Sequence, residues 1–262
     1  MQKLTLYQID AFTDKVFGGN PAAVCVLDQW LEEEKMQQIA AENNLAETAF
    51  VVKTGSDYSI RWFTPTVEVD LCGHATLAAA FVLFSYHHLT VNAITFHSHR
   101  SGLLTVEQQG EELTLNFPTD VLEQVEVPET LTQAFGVAPE AAFKGKTDYL
   151  LLFASEEDIV ALHPDLRVLA GVAARGVIVS APGKEVDFVS RFFAPQVGVD
   201  EDPVTGSAHT TLIPYWSQRL GKQKLTARQL SKRQGELTCE FLGDRVAITG
   251  NAVAYLKGEI YV

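Results

Sequence analysis

The chain has 262 residues, 47% of them hydrophobic and 20% charged, so it is long enough for two ordinary domains and has the composition of a folded globular protein. Its formal net charge of −13 comes with no basic stripe, which argues against a nucleic acid or an anionic membrane as a partner. Because no apolar run approaches the roughly 20 residues of a membrane span, and the three cysteines are too few and too far apart for a disulfide framework, we expect a soluble, cytoplasmic protein.

The first half of the chain alternates predicted strands with two helices. Short apolar or alternating runs predict strands at residues 4–12, 22–27, 48–52, 58–63, 94–96, 102–106 and 113–117. Residues 31–43 carry apolar side chains at helical spacing and predict an amphipathic helix. Gly73 opens a second helix over residues 75–84, which has almost no polar face and should therefore be buried.

The second half repeats this plan. We predict a helix at residues 165–174, strands at 176–180 and 188–193, a buried helix at 207–220, and closing strands at 237–239, 246–249 and 259–262. Pro214 lies inside the buried helix and should kink it or end it early, whereas Gly221 should stop it. Runs of strands with few helices indicate an α+β fold rather than a doubly wound sheet.

A ten-residue pattern occurs once in each half. Residues 61–70 read RWFTPTVEVD and residues 191–200 read RFFAPQVGVD, and each copy continues into a glycine turn and a helix of small residues. Carried forward, the register aligns Cys72 with Asp202, and each of these side chains can exchange a proton. A chain of two similar halves usually places its ligand site between them.

The glycines at the two helix starts, Gly73 and Gly206, suggest how a ligand would be held. The unpaired N–H groups of a helix start carry about half a positive charge and bind carboxylates without a basic side chain. Two such starts facing one another would form a cradle for an anion. Glu47 lies between a predicted helix end and a strand, and the matching region of the second half, residues 173–177, has no carboxylate.

Several motifs, in order along the whole chain, resemble one known family. They are FGGNPA at 17–22, NLAETAF at 44–50, RWFTP at 61–65, DLCGHAT at 70–76, EDPVTGS at 201–207, QLSKRQG at 229–235 and VAITG at 246–250. Each motif is weak alone, but the ordered set resembles the PhzF-like phenazine-biosynthesis isomerases.

The resemblance implies the diaminopimelate-epimerase-like fold: two pseudo-symmetric domains, each a curved, mostly antiparallel, barrel-like sheet wrapped around a central helix, with the site in the cleft between them. We expect the first domain at residues 1–118, with the C-terminal strand near 255–262 as a candidate to join it, and the second at residues 125–254. Family members act without cofactor or metal, and many are homodimers.

The resemblance also assigns residues. Glu47 matches the family's catalytic acid/base, and His74 and Asp202 match residues that contact the substrate or assist the proton shift. Gly73, Gly206 and Ser207 match positions that hold the substrate carboxylate. Cys72 and Asn20 are further candidate substrate contacts, and Phe50 and Phe63 are candidates for the apolar surroundings of Glu47.

The sequence therefore predicts a cofactor-independent isomerase that moves a proton on a small carboxylate-bearing substrate, either amino-acid-like or cyclic. Two alternatives stay open. The first is an amino-acid epimerase or racemase that uses Cys72 and Asp202 on opposite faces of the substrate. The second is a non-catalytic protein that binds small molecules or a partner through the same cleft.

Overall fold

The computed structural model describes all 262 residues, from Met1 to Val262. They form two compact units: unit 1 comprises Met1–Asn116 and Thr249–Val262, and unit 2 comprises Phe117–Ile248. The predicted α+β class is confirmed, because the chain is mostly sheet with six α-helices. None of the helices has both the length and the apolar character needed to span a membrane.

The elements follow in chain order. The strands are β1 (Lys3–Ala11), β2 (Asn20–Leu27), β3 (Glu47–Thr54), β4 (Asp57–Phe63), β5 (Glu68–Val69), β6 (Ala93–Ser98), β7 (Gly102–Gln109), β8 (Glu112–Pro118), β9 (Glu123–Val125), β10 (Ala141–Lys144), β11 (Asp148–Leu152), β12 (Gly176–Pro182), β13 (Phe188–Ala194), β14 (Val199–Asp202), β15 (Lys224–Gln229), β16 (Gly235–Phe241), β17 (Arg245–Gly250) and β18 (Ala252–Tyr261). The helices are α1 (Glu33–Asn43), α2 (Gly73–Tyr86), α3 (Glu129–Phe135), α4 (Glu156–Ala161), α5 (Leu166–Leu169) and α6 (Gly206–Leu220), and a 3₁₀ turn covers Pro195–Val197.

Unit 1 is a mostly antiparallel sheet in the order β18, β1, β2, β3, β4, β6, β7, β8, with β5 paired to β4. Only β2–β3 and β4–β6 are parallel. Helix α2 packs against β1, β2 and β3, and its residues are almost all buried, as its lack of a polar face predicts. Helix α1 packs against β3 and β4 and covers a separate cluster around Met36 and Phe50.

Unit 2 repeats this order. Its sheet runs β9, β10, β11, β12, β13, β15, β16, with β14 paired to β13, and again only two pairs, β11–β12 and β13–β15, are parallel. Helix α6 takes the place of α2 and packs against β11, β15 and β16. The short helices α3, α4 and α5 flank a second cluster, which includes Leu131, Ile159 and Leu169.

One helix prediction for unit 2 was wrong in part, and another was wrong in its length. Of the two effects predicted for Pro214, the early end is wrong, because α6 continues to Leu220, and the kink stays a prediction. The carbonyl that a proline leaves without a helical partner is that of the residue four positions earlier, and here the oxygen of Thr210 accepts a hydrogen bond from the Asp120 N–H at 3.1 Å. The predicted helix at residues 165–174 is only α5, capped by the Asp165 side chain, followed by i→i+3 turns.

Candidate active site

Glu47 is the first residue of β3. Side chains along a strand point alternately to the two faces of the sheet, and this alternation determines which face Glu47 lies on. Phe50, three positions further on, points to the opposite side of the sheet, where it contacts Phe63 beneath α1 with ring centroids 5.6 Å apart. These two aromatic rings therefore do not surround Glu47, and that prediction was wrong. The Glu47 side chain lies on the α2 side, where it meets His74 in the first turn of that helix.

Asn20 reaches the same place because β2 starts immediately after a tight turn. Gly19 has a φ of +56°, and a Cβ at this position would lie 2.1 Å from the carbonyl oxygen of Ala11, so only glycine fits. The chain then pairs with β1, with Asn20 opposite Ala11. Asn20 is fully buried, and its predicted contact with substrate stays a prediction.

His74 lies between Asn20 and Glu47. The amide Nδ2 of Asn20 is 3.1 Å from His74 Nδ1, and His74 Nε2 is 3.2 Å from Oε2 of Glu47. In the neutral ring, the Asn20 amide nitrogen donates to Nδ1 and the ring proton lies on Nε2, towards the carboxylate; in the imidazolium, both ring nitrogens carry a proton. The angles between Nε2 and Oε2 fall outside those of a hydrogen bond, so this contact is an ion-pair distance only, and neither buried atom has a hydrogen-bond partner.

Two neighbours act on the charge of His74. Burial works against the imidazolium, but Cys72 and Glu47 raise the pKa of His74 well above its usual value. Since the Cys72 thiol is itself protonated at neutral pH, the Glu47 carboxylate is the group that supplies a negative charge there. His74 can therefore take up and release a proton next to Glu47.

Cys72 is the residue before α2, with its Sγ 3.5 Å from His74 Nδ1. Burial raises the pKa of the Cys72 thiol to about 11, the Glu47 carboxylate adds to the rise, and His74 offsets part of it. A thiol in this state is not the thiolate that acts as a base or nucleophile.

Glu47, Cys72 and His74 could also be considered as metal ligands, because they are donor types that zinc takes and their ligand atoms lie within 4.8 Å of one another. The Asn20 amide bears on this arrangement. In the neutral ring it donates to Nδ1 and leaves the proton on Nε2, so an ion beside Glu47 would have to displace that proton.

In unit 2 the structure places Asp202 at the end of β14, and it connects this residue to two others that sequence reasoning missed. Thr205 Oγ1 donates to Asp202 Oδ2 at 2.5 Å, and the fully buried Gln229 donates from Nε2 to Thr205 Oγ1 at 3.1 Å. Gln229 and Thr205 both lie in motifs of the family resemblance, but nothing local in the sequence indicates that they meet.

The first residues of the two long helices are buried, and their backbone N–H groups have the character of an anion site. Neither α2 nor α6 has an acidic residue in its first turn, and the one side chain that reaches a first-turn N–H group is the Cys72 thiol, at Ala75 of α2. Gly73 and Gly206 are the first residues of these helices, and Ser207 follows with its side chain partly exposed. Each helix start thus presents unpaired backbone donors that favour a carboxylate.

The structure corrects the alignment of the two halves at this point. Cys72 is the residue before α2, and the residue before α6 is Thr205, not Asp202. Unit 2 has three additional residues between the repeated pattern and its helix, because β14 extends to Asp202 before the chain turns. Cys72 and Asp202 are therefore not structural counterparts.

The counterpart of Glu47 is a glycine. Glu47 starts the second strand of the parallel pair β2–β3, and Gly176 starts the second strand of the parallel pair β11–β12, opposite Asp148. A Cβ at Gly176 would lie 2.3 Å from Cζ of Phe192, so no side chain fits. The Arg175 guanidinium instead lies 5.4 Å from the centroid of that ring, with its Nε donating to Asp148 at 2.9 Å. The two halves thus differ at the start of this strand: unit 1 has a carboxylate there, and unit 2 has a glycine beside an arginine–aspartate pair.

The structure brings four predicted residues together in unit 1, namely Asn20, Glu47, Cys72 and His74, and it places Asp202, Gly206 and Ser207 near the start of α6 in unit 2. The roles predicted for them, and the prediction that both halves contribute to one crevice, stay predictions.

The chain has close relatives over its whole length. The family model described as phenazine biosynthesis-like protein (PhzC-PhzF) matches residues 9–258. A Pseudomonas aeruginosa protein named as an uncharacterized isomerase is 51% identical over 261 residues, which cover 99% of this chain and 100% of that protein. The crystal structure of a phenazine biosynthesis protein of the PhzF family from Enterococcus faecalis superposes with a TM-score of 0.97 at 47% identity, covering 100% of both chains.

A more distant neighbour shares the fold. A Pseudomonas aeruginosa protein described as a predicted epimerase has a TM-score of 0.74 at 19% identity and covers 99% of both chains. The epimerase-like fold implied by the sequence motifs is therefore confirmed. Together, the family model and the close relatives show that the chain belongs to the PhzC-PhzF family of phenazine biosynthesis-like proteins, and they support a general isomerase role for it.

Proposed function

We propose that this protein is a cofactor-independent isomerase that moves a proton on a small carboxylate-bearing substrate, with Glu47 as the acid/base. One observation carries the proposal: Glu47 Oε2 is buried, has no hydrogen-bond partner, and lies 3.2 Å from Nε2 of His74. The Glu47 side chain as a whole is 16% exposed. A carboxylate in this position is shielded from bulk water but still accessible to a small molecule.

The proposed step conserves atoms and electrons. The Glu47 carboxylate removes a proton from a carbon next to an activating group, and the electrons of that C–H bond move into the adjoining unsaturated system. Glu47, now protonated, returns the proton to another carbon of the same system on the same face. The double bond shifts, nothing is oxidised or reduced, and the enzyme is regenerated. His74 stabilises the carboxylate before and after each transfer.

The remaining site residues bind and orient the substrate in this proposal. The backbone N–H groups at Gly73, Gly206 and Ser207 hold the substrate carboxylate, and Asp202 assists the proton shift. The helix starts support this assignment, since a carboxylate gains both hydrogen bonds and the helix dipole there. The proposal also includes a homodimeric state and a cytoplasmic location.

The epimerase alternative, with Cys72 as one of two opposed bases, has less support. A thiol whose pKa burial raises to about 11 is a poor base at neutral pH, and Asp202 is not its structural counterpart. The binding-protein alternative differs from an isomerase only in turnover, which the following experiment measures.

The experiment incubates the protein in D₂O with a panel of cyclic and linear amino-acid-like acids, including a dihydro-hydroxyanthranilate as a cyclic amino acid. Mass spectrometry and NMR detect deuterium in the recovered acid and any isomer formed. We expect at least one acid to exchange and isomerise, and Glu47→Gln to be slower by about 10²–10⁴-fold, because it removes the general acid/base.

The matched control is Glu42→Gln on the exposed face of α1, which loses the same charge near the same strand and should keep full activity. Binding of an acid without exchange or conversion would favour the binding-protein alternative. Exchange that depends on Cys72 and inverts a stereocentre would favour the epimerase.

A further inference from the structure

At the end of β14, three residues of unit 2 form a closed hydrogen-bond network. Gln229 Nε2 donates to the carbonyl oxygen of Asp202 at 2.8 Å and to Thr205 Oγ1 at 3.1 Å. Gln229 Oε1 accepts from the Thr205 N–H at 2.8 Å. Gln229 has no exposed surface and Thr205 is 5% exposed, so water does not compete for these bonds.

The orientation of the Gln229 amide follows from the backbone groups it meets. A backbone N–H only donates and a backbone carbonyl only accepts. The amide oxygen must therefore face the N–H of Thr205, and the amide nitrogen must face the carbonyl of Asp202. Turning the amide over would place two donors together and two acceptors together inside the protein, which is costly without water.

That orientation also decides the direction of the Thr205 hydroxyl. Because the amide nitrogen donates to Oγ1, the hydroxyl accepts at that side and its own hydrogen points elsewhere. Asp202 Oδ2, at 2.5 Å, is the acceptor. The Thr205 carbonyl is held as well, because it accepts a 2.8 Å bond from Nδ1 of the buried His209. The Thr205 hydroxyl is therefore a fixed donor to Asp202.

We propose that Gln229 is a positioning residue: its amide aims the Thr205 hydroxyl at Oδ2 of Asp202 and so fixes the plane of that carboxylate and favours its ionised form. The inference rests on the proposed function, in which Asp202 assists the proton shift. Gln229 and Thr205 need not touch the substrate, and they act through Asp202 alone.

A purely structural role would explain less of this network. Completing the start of α6 requires only the bond from the Thr205 N–H to Gln229. Two of the other bonds end on Asp202, one at its carboxylate and one at its carbonyl, and the third, from Gln229 Nε2 to Thr205 Oγ1, orients the hydroxyl that donates to Asp202. In unit 1 the residue before α2 is Cys72, which has no hydroxyl and no carboxylate three positions earlier. The network thus occurs only in the half that carries Asp202.

The test is the titration of the Asp202 carboxyl carbon by ¹³C NMR in the protein without substrate, so it does not depend on turnover. Thr205→Val keeps the shape and removes the hydroxyl, and Thr205→Ser restores it. A hydrogen bond to a charged group stabilises it enough that the Thr205→Val midpoint should rise by about one to two pH units, while Thr205→Ser should stay near the native value. The charge of Arg175, which also acts on Asp202, is the same in all variants.

Gln229→Met removes the amide at similar volume and should raise the midpoint in the same direction. In the native protein, the side-chain amide protons of Gln229 should exchange slowly with water, a readout that survives if Gln229→Met does not fold. An unchanged midpoint in Thr205→Val, or Gln229 amide protons that exchange like those of a surface glutamine, would overturn the inference. If these NMR results hold but no acid is turned over, the proposed function fails while the positioning network stands.

Discussion

Alkylation of Cys72 tests whether the thiol next to His74 is activated. Its pKa of about 11 leaves a thiolate fraction at pH 7.5 about 300-fold below that of an ordinary cysteine with a pKa of about 8.5. A more basic thiolate is a better nucleophile, which recovers about 10-fold of this loss. We therefore expect Cys72 to react with iodoacetamide at least about 20-fold more slowly than in the unfolded chain, and burial should slow it further.

The assay follows labelling of the folded protein at pH 7.5 by peptide mass spectrometry, with the denatured chain as reference. Cys25 is the internal control, because burial raises the pKa of its thiol to about 12 and it has no histidine beside it. Both cysteines should label slowly. Labelling of Cys72 at or above the rate of the denatured chain, with Cys25 still protected, would refute the reasoning and revive the thiol-based epimerase.

Three further predictions concern unit 2. Arg175→Gln should lower the free energy of unfolding by about 3 kcal/mol, the lower end for a broken buried pair, because Asp148 is 2% exposed and Arg175 is partly solvated; urea denaturation measures it. Gly176→Ala should cost about 1–3 kcal/mol, since its Cβ would lie 2.3 Å from Cζ of Phe192; thermal unfolding measures it. Burial lowers the pKa of His209 to about 4. As the pH drops from about 6.5 to about 4, the unfolded chain therefore binds a proton at His209 and the folded chain does not, so the free energy of unfolding should fall by up to about 3 kcal/mol.

Each of these has a matched control. Asp148→Asn combined with Arg175→Gln should lose less stability than Arg175→Gln alone, because no buried charge is left unpaired. Gly258→Ala should be close to neutral, since its Cβ would make an ordinary 3.6 Å contact. His209→Gln should show a shallower loss of stability between pH 6.5 and pH 4. The argument for the buried pair would be contradicted by an equal or larger loss in the double variant. The argument for Gly176 would be contradicted if Gly258→Ala cost as much as Gly176→Ala, and the argument for His209 if His209→Gln and the native protein showed the same pH slope.

Local sequence patterns were sufficient to predict which helix is buried and which carboxylate is a candidate for the site. Helix α2 could be predicted as buried because its sequence offers no polar face, and it is surrounded as expected. Glu47 could be singled out because the second half has no carboxylate at the matching junction. The structure adds the reason, which is that the Phe192 ring occupies the space a side chain at Gly176 would need.

Longer-range relations could not be predicted. The register of the two halves was lost after Asp200, because β14 extends by three residues and no residue pattern marks that extension. The pairing of Thr205 with Gln229 joins two elements that are far apart in sequence, and neither residue type is distinctive at its position. Residues 165–174 have a helical pattern, but after α5 the backbone forms turns with i→i+3 hydrogen bonds instead of continuing the helix.

The central claim is that one carboxylate, that of Glu47, carries the proton between two carbons of the substrate. The most direct measurement is kcat/KM for Glu47→Gln beside the native protein and Glu42→Gln, on whichever acid of the panel is isomerised. The account predicts a fall of at least about 100-fold for Glu47→Gln, or about 3 kcal/mol of barrier, with Glu42→Gln unchanged. Retention of more than about a tenth of the native kcat/KM by Glu47→Gln would contradict it.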